Sequence, residues 1–321
     1  AYVSPGQEML ANRLRKNLRE WGKWARREEI YCYRVYDADM PEYALAIDHY
    51  DGYLHIQEYQ APATVDPEKA RERLVEALAI LPEVFDLSPE RVFFKVRQRQ
   101  RGSDQYQKVD TTGKRFSVRE GGLWFLVNLS DYLDVGLFPG HRRVRAMLRT
   151  LSAGRHFLNL FGYTGSATLY AAAGGAASTT TVDLSPTYLE WAGANLELNG
   201  FAGGRHRLIE GDCLAWIDQE RRPYDLIFLD PPTFSNSKRM VGIFDVQRDY
   251  LDLIVRASRL LSPEGILLFS THFEKFRPQW TELPDHLEVS DLTTATLAPD
   301  FRRHPRGHHC WRIGRAVSGR G

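Results

Sequence analysis

Over residues 8–29 the apolar positions Leu10, Leu14, Leu18, Trp21 and Ala25 recur every three to four residues. Arg13, Arg15, Lys16, Arg19, Lys23, Arg26 and Arg27 surround them. That period predicts an amphipathic helix with one buried stripe and a basic outer face. Between about residues 30 and 129 the pattern changes to short runs of aromatic and β-branched residues at 31–36, 43–47, 53–60 and 92–99, which predict strands. One helix interrupts them: Asp66 stands at an N-cap position, Pro67 follows, and the helical pattern reaches about Leu81. Residues 116–120 and 123–129 read as a hairpin about Gly121-Gly122, a dipeptide that supplies positive φ without steric cost.

From about Tyr132 the chain alternates. Strands are predicted at 155–161, 179–183, 207–210, 224–229 and 266–270, and helices at 166–173, 186–199 (capped by Ser185), 214–219 and 245–261. Such alternation implies a parallel sheet covered by helices on both faces. The end differs, because 287–292 and 310–316 read as strands with no strong helix between them. The expected organisation is a basic linker helix (1–29), a small α+β accessory domain that contacts RNA (30–130) and a mostly parallel α/β domain (131–321) with an antiparallel terminal strand.

Composition narrows the setting. With 43% hydrophobic residues in 321 the chain can bury a sizeable core. Its 42 basic and 41 acidic residues leave a net charge of +1, so any polyanion must be held by local clusters. Cys32, Cys213 and Cys310 have neither metal-ligand spacing nor a disulfide pattern, so no metal is expected and a reducing, cytoplasmic setting is. No run approaches the about 18 apolar residues of a membrane span, and no membrane partner is expected. The start at Ala1 rather than Met fits a piece of a longer protein.

The chemistry concentrates after the fourth core strand, at Asp230-Pro231-Pro232-Thr233-Phe234. Two prolines cannot continue a ladder, so a carboxylate, two rigid rings and an aromatic face leave the sheet at the strand's carboxyl end, where open α/β sheets bind ligands. Upstream, Asn159 to Ser166 joins the first strand to its helix with Gly162 and Gly165 in the turn. Asp183 ends the second strand, placed to accept from a ribose diol, and Asp212 follows the third, placed for an adenine amino group. A dehydrogenase has no use for the Asp230 cluster, whereas a base methyltransferase needs a stacking face beside its sulfonium. The cofactor expected is therefore S-adenosylmethionine (SAM), on a Rossmann-like class I methyltransferase sheet of seven strands. Its expected contacts are Asn159, Phe161, Tyr163, Thr164, Gly165, Asp183, Leu184, Asp212, Cys213 and Asp230, with Asp230, Pro231, Pro232 and Phe234 as the catalytic base pocket.

Methylation of cytosine carbon-5 needs a cysteine nucleophile. None follows the fourth or fifth strand, which end in Asp230 to Phe234 and Ser270-Thr271-His272, so that chemistry is excluded. An exocyclic amine, served by acceptors such as Asp230, and guanine N7, whose lone pair is already available, both stay open. For RNA, Lys95, Arg97, Arg99 and Arg101 alternate on a predicted strand and so share one face. Lys238 and Arg239 follow the base pocket, and Arg302, Arg303 and Arg306 stand beside Phe301 and His304, a mixture suited to splayed single strands. A non-catalytic RNA-binding module is the alternative from another class.

Residues 159–168, 178–191, 212–216, 230–240 with 244–249, 131–138, 32–43 and 105–108 closely resemble the C-terminal, K half of the bacterial ribosomal RNA large-subunit methyltransferase K/L family. The run Pro232-Thr233-Phe234-Ser235-Asn236-Ser237-Lys238-Arg239-Met240 is the most specific part. The resemblance implies 7-methylguanosine formation in 23S rRNA, on naked rRNA or an early large-subunit assembly intermediate. It also implies an upstream half, fused or separate, that binds RNA and makes N2-methylguanosine. Two positions depart from the family pattern. Pro139-Gly140-His141-Arg142 stands where Leu-Asp-His-Arg is usual, and Thr271-His272 stands where two asparagines are usual.

Overall fold

The computed structural model describes residues 3–95, 114–130 and 134–317. The chain forms two compact units: Ala1–Gly122, Val127–Val135 and Pro299–Arg303 make the first, and Leu123–Leu126, Gly136–Ala298 and His304–Gly321 the second.

The first unit contains α1 (Pro5–Arg27), β1 (Cys32–Asp37), β2 (Leu45–Tyr50), β3 (Tyr53–Glu58), α2 (Pro67–Phe85) and β4 (Val92–Lys95). Its sheet runs β1-β2-β3-β4; the first three strands are antiparallel, and β4 lies parallel to β3 after the α2 crossover. Helix α1 starts earlier than its apolar period suggests. Ser4 and Gln7 form a reciprocal capping box and Pro5 occupies the first helical position. Its stripe is part of the unit's core, where Leu10 and Leu14 join Ala77 and Leu81 of α2 and Ile47, Leu54 and Ile56 of the sheet. Helix α2 continues through Pro82 and stops at Asp86, in the left-handed region at φ 52°. An internal proline costs about 3 kcal/mol, which Val84 and Phe85, packed on the same core, offset.

Strand β4 ends in Lys95, and its burial corrects one expectation. Only 3% of that residue is exposed, so it belongs to no solvent-facing cationic row. Arg97, Arg99 and Arg101 lie outside the described residues. Strands β5 (Phe116–Glu120) and β6 (Leu123–Val127), joined by Gly121-Gly122, follow.

The second unit carries α3 (Arg142–Leu151), β7 (His156–Leu160), α4 (Ser166–Ala173), β8 (Ser178–Asp183), α5 (Pro186–Leu198), β9 (His206–Glu210), α6 (Cys213–Gln219) and β10 (Tyr224–Leu229). It continues with the short strands β11 (Phe234–Ser235) and β12 (Phe244–Asp245), then α7 (Val246–Ser258), β13 (Leu261–Thr271), β14 (Leu287–Asp291), α8 (Thr293–Thr296) and β15 (His309–Arg315). The seven-stranded sheet is ordered β14-β15-β13-β10-β7-β8-β9. Strand β15 is antiparallel to both its neighbours, and β13, β10, β7, β8 and β9 are mutually parallel.

Period-two alternation divides the core. Phe157, Leu226, Phe228, Ile266 and Leu268 face Val144 and Leu148 of α3 and Ala167 and Ala171 of α4. Leu158, Leu160, Ile227, Leu229, Leu267 and Phe269 face Ile217 of α6 and Leu253 and Ile254 of α7. Strands covered on both sides read as continuous apolar runs, which is how 224–229 appears in the sequence. Helix α3 was not foreseen, because its arginine-rich sequence offers Val144 and Leu148 as its fully apolar buried anchors. Among the described residues no helix is long and apolar enough to cross a membrane.

The first unit also buries an ion pair. Arg34 donates to both oxygens of Asp48, at 2.8 and 3.2 Å, and to Asp37 at 3.3 Å, while its guanidinium lies 4.4 Å above the Phe301 ring. Removing one partner of such a pair strands the other charge, at a cost of about 3–5 kcal/mol. Asp48→Ala is expected to lower the unfolding free energy of this unit by that amount in a denaturant titration, and Asp48→Asn by less. An unchanged midpoint for Asp48→Ala would count against the pair as a stabilising element.

Candidate active site

The register of the parallel strands sets the site. Leu229 of β10 lies opposite Leu160 of β7 and Phe269 of β13, and Leu160 lies opposite Val182 of β8. The next residues, Asp230, Phe161, Ser270 and Asp183, therefore stand at one level across the sheet.

The turn after β7 bends through three left-handed residues, Phe161 (φ 56°), Tyr163 (φ 54°) and Gly165 (φ 72°). Non-glycine residues there cost about 1–3 kcal/mol each and persist only when neighbours hold them. Gly162 N–H donates to Val182 O (3.0 Å), Tyr163 N–H to Asp183 Oδ2 (3.0 Å) and Thr164 Oγ1–H to Gly136 O (2.6 Å). A Cβ on Gly162 would collide with the Thr181 methyl, and one on Gly165 would lie 2.8 Å from Ala192 Cβ.

Asp183 is buried and also accepts the Ser185 N–H at 2.8 Å. Burial raises its carboxyl to about 6, against the pull of the Ser185, Tyr163 and Leu184 amides. A carboxylate has about four lone-pair sites, so an acceptor remains beyond the Tyr163 and Ser185 bonds. Asp212 caps α6 by accepting from Leu214 N–H (3.1 Å), and its other oxygen accepts from Val241 N–H (3.3 Å). Asn159 donates to Thr168 Oγ1 (3.0 Å), and both are buried. Cys213 is buried, with its sulfur accepting from Phe161 N–H (3.3 Å), and burial pushes its thiol well above the ordinary range. Asn159, Thr164 and Cys213 thus spend their polar atoms on the shape of the turn.

At the end of β10, Asp230 Oδ1 accepts from Ser270 Oγ–H at 2.8 Å. Its Oδ2 lies 3.9 Å from both His141 Nδ1 and His272 Nε2. Burial raises the Asp230 carboxyl, and His272 and Ser270 oppose that rise. Phe234 is 47% exposed on β11, which pairs with β12 to close residues 236–243 into a ribbon carrying Lys238 and Arg239. Arg239 lies 3.7 Å from Glu210. Exposed Phe138 stacks on Tyr163 at 5.7 Å and 24°.

Cys32, Cys213 and Cys310 are all buried, and burial pushes Cys310 up to about 12. Of the distal cations, Arg302 pairs with Glu20 (3.3 Å) and lies over Trp21, and Arg303 pairs with Asp39 (3.4 Å), all in the first unit. Arg306 is exposed in the second. Phe138 escaped the sequence reading, as did the convergence of His141 and His272 on Asp230. The local signal was the Pro139-Gly140 loop between an aromatic and a histidine, but the partners stand on strands far along the chain.

The donor set suits SAM, with carboxylates at the ends of β8, β9 and β10 and an aromatic, proline-bounded face beside the last. Residues 36–282 match the S-adenosylmethionine-dependent methyltransferase family. The chain is 57% identical over 97% of its length to ribosomal RNA large subunit methyltransferase K/L of Allochromatium vinosum, and 54% identical over 98% to that of Syntrophotalea carbinolica. It spans only 43–44% of those proteins. The crystal structure of SMU.776, described as a methyltransferase and complexed with SAH, shares the fold with a TM-score of 0.77 at 23% identity, over 98% of this chain and 83% of that one. The chain therefore has the Rossmann-like class I fold, uses SAM as its cofactor, and belongs to the ribosomal RNA large subunit methyltransferase K/L family.

Proposed function

We propose that this chain is the K half of a K/L enzyme and methylates guanine N7 in 23S rRNA. The observation that carries this reading is the Asp230 carboxylate, fixed by Ser270 at the end of β10 and followed by Pro231, Pro232 and exposed Phe234. Bound SAM supplies an electrophilic methyl group on a sulfonium. The chain's own task is to hold the nucleophile in line with it.

Phe234 offers a face on which a guanine can stack, and the two prolines keep that face rigid. N7 has an in-plane lone pair and loses no proton, so no base is needed. Its methylation leaves a cationic ring, and a stationary carboxylate beside that ring stabilises charge as it develops. Cytosine carbon-5 chemistry finds no support, since all three cysteines are buried. The same carboxylate suits an exocyclic amine, from which it could accept a proton. Asp183 is assigned to the ribose and Asp212 to the adenine side. Lys238, Arg239, Arg302, Arg303 and Arg306 are assigned to RNA. A duplex guanine must first be unpaired or flipped out to reach this pocket. The relatives' names support rRNA as the substrate, and their greater length supports a further half, which this reading places upstream.

Digestion of treated 23S rRNA to nucleosides is expected to yield 7-methylguanosine; N2-methylguanosine or N6-methyladenosine instead overturns the N7 assignment. Phe234→Ala is expected to cost about 1–3 kcal/mol of RNA binding, read as a raised KM for RNA at unchanged SAM affinity. Unchanged KM removes Phe234 from the pocket.

Asp183 gives a pH test. Its folded carboxyl titrates at about 6, above the about 3.9 of an unfolded aspartate. The proton therefore favours the folded state below about pH 4, and that advantage is lost as pH rises through about 6. A ribose diol needs the ionised form, so SAM affinity runs the opposite way. Calorimetry is expected to show a plateau at neutral pH and a fall approaching about tenfold per unit well below pH 6. Asp183→Ala should weaken binding and flatten this profile. Equal wild-type affinity at about pH 5 and about pH 7.5, or unchanged affinity in the variant, overturns the ribose assignment.

A further inference from the structure

Methyl transfer to N7 has no use for the two histidines that converge on Asp230. His141 stands just before α3 and His272 just after β13. With Asp230 they place one ligand-type atom each within 4.8 Å of the others. The outer atoms of two of the three are already held. Asp230 Oδ1 takes the Ser270 hydroxyl at 2.8 Å, and His272 Nδ1 lies 3.1 Å from the Gly307 carbonyl. A carbonyl can only accept, so Nδ1 carries the proton of neutral His272, and Nε2 turns its lone pair toward Asp230 Oδ2 at 3.9 Å. Metal-binding histidines and carboxylates are held in this way by outer partners.

His141 is buried, with Nδ1 as the ring nitrogen turned toward Asp230. It lies 4.3 Å from the His272 ring and meets the edges of His308 and Phe228.

We propose that His141, Asp230 and His272 form a divalent transition-metal site whose occupation closes the nucleobase pocket. Two imidazoles and one carboxylate, with a fourth position open, match Zn²⁺ among the common ions. Tetrahedral bonds of about 2.0–2.1 Å place donors about 3.3 Å apart. The two 3.9 Å separations must therefore shorten by about 0.6 Å, and the third, within 4.8 Å, by as much as about 1.5 Å. His272, with about half its side chain exposed, has the room to make that shift by turning about its Gly307 contact. The claim that the ion closes the pocket rests on the proposed role of Asp230; the existence of the site does not.

The test is to strip the chain with chelator and titrate it with Zn²⁺ by calorimetry and with Co²⁺ by visible absorption. One equivalent of Zn²⁺ and a tetrahedral Co²⁺ spectrum are expected. His272→Asn and His141→Asn should each weaken binding at least about tenfold, while His156→Asn, outside the cluster, should not. Because His141 is buried, circular dichroism of each variant must match the wild type; exposed His272 carries the result if His141→Asn misfolds. No binding by the wild type, or equal binding by His272→Asn, overturns the site. With the site established, Zn²⁺ should inhibit competitively with RNA and not with SAM; binding without such inhibition overturns closure of the pocket. The metal readouts use no RNA, so they stand whichever nucleoside is the product.

Discussion

The level at which strands leave the parallel sheet is the constraint on which the active site depends. Leu229 is paired on one side with Leu160 and on the other with Phe269. Ser270 can reach Asp230 only because both are the first residues beyond that shared rung. One rung across, the pairing of Leu160 with Val182 puts Tyr163 N–H within 3.0 Å of Asp183. A slip of one residue in β10 would turn Ile227 and Leu229 to the opposite face and carry Asp230 away from Ser270. The apolar core on both faces of the sheet thus sets the position of the three carboxylates at its strand ends.

Those carboxylates share a division of labour. Each has one oxygen committed to the protein: Asp183 Oδ1 to Ser185 N–H, Asp212 Oδ1 to the start of α6, and Asp230 Oδ1 to Ser270. The second oxygen differs among them. That of Asp183 helps hold the left-handed turn, that of Asp212 meets the ribbon at Val241, and that of Asp230 faces imidazoles. A two-oxygen side chain can serve as a local cap and as part of a ligand site together, so reading Asp212 as a helix cap does not compete with reading it as a cofactor contact.

Much of this was legible in the sequence because its causes are local. Period-two and period-3.6 patterns, the Asp66-Pro67 and Ser185-Pro186 starts, and the two prolines after β10 act within a few residues. What was hidden depends on distant partners. Lys95 alternates correctly with its basic neighbours, yet the residue is buried. The period of α2 fades before Pro82, but tertiary packing carries the helix to Phe85. His141 and His272 are unremarkable in their own segments, and only the order of strands β13, β10 and β7 places them on one carboxylate.

The segment Pro299–Arg303 belongs to the first unit although its neighbours in sequence belong to the second. Its Asp300 is buried and accepts the Arg34 N–H at 3.0 Å, across 266 residues of chain. The accessory unit is therefore discontinuous in the gene. During synthesis from the amino terminus, its α1–β4 portion emerges long before Asp300, the acceptor for its Arg34 N–H. The small unit is thus completed only after most of the second unit has been made, and fusions or truncations placed near residue 130 would separate it from its own closing piece.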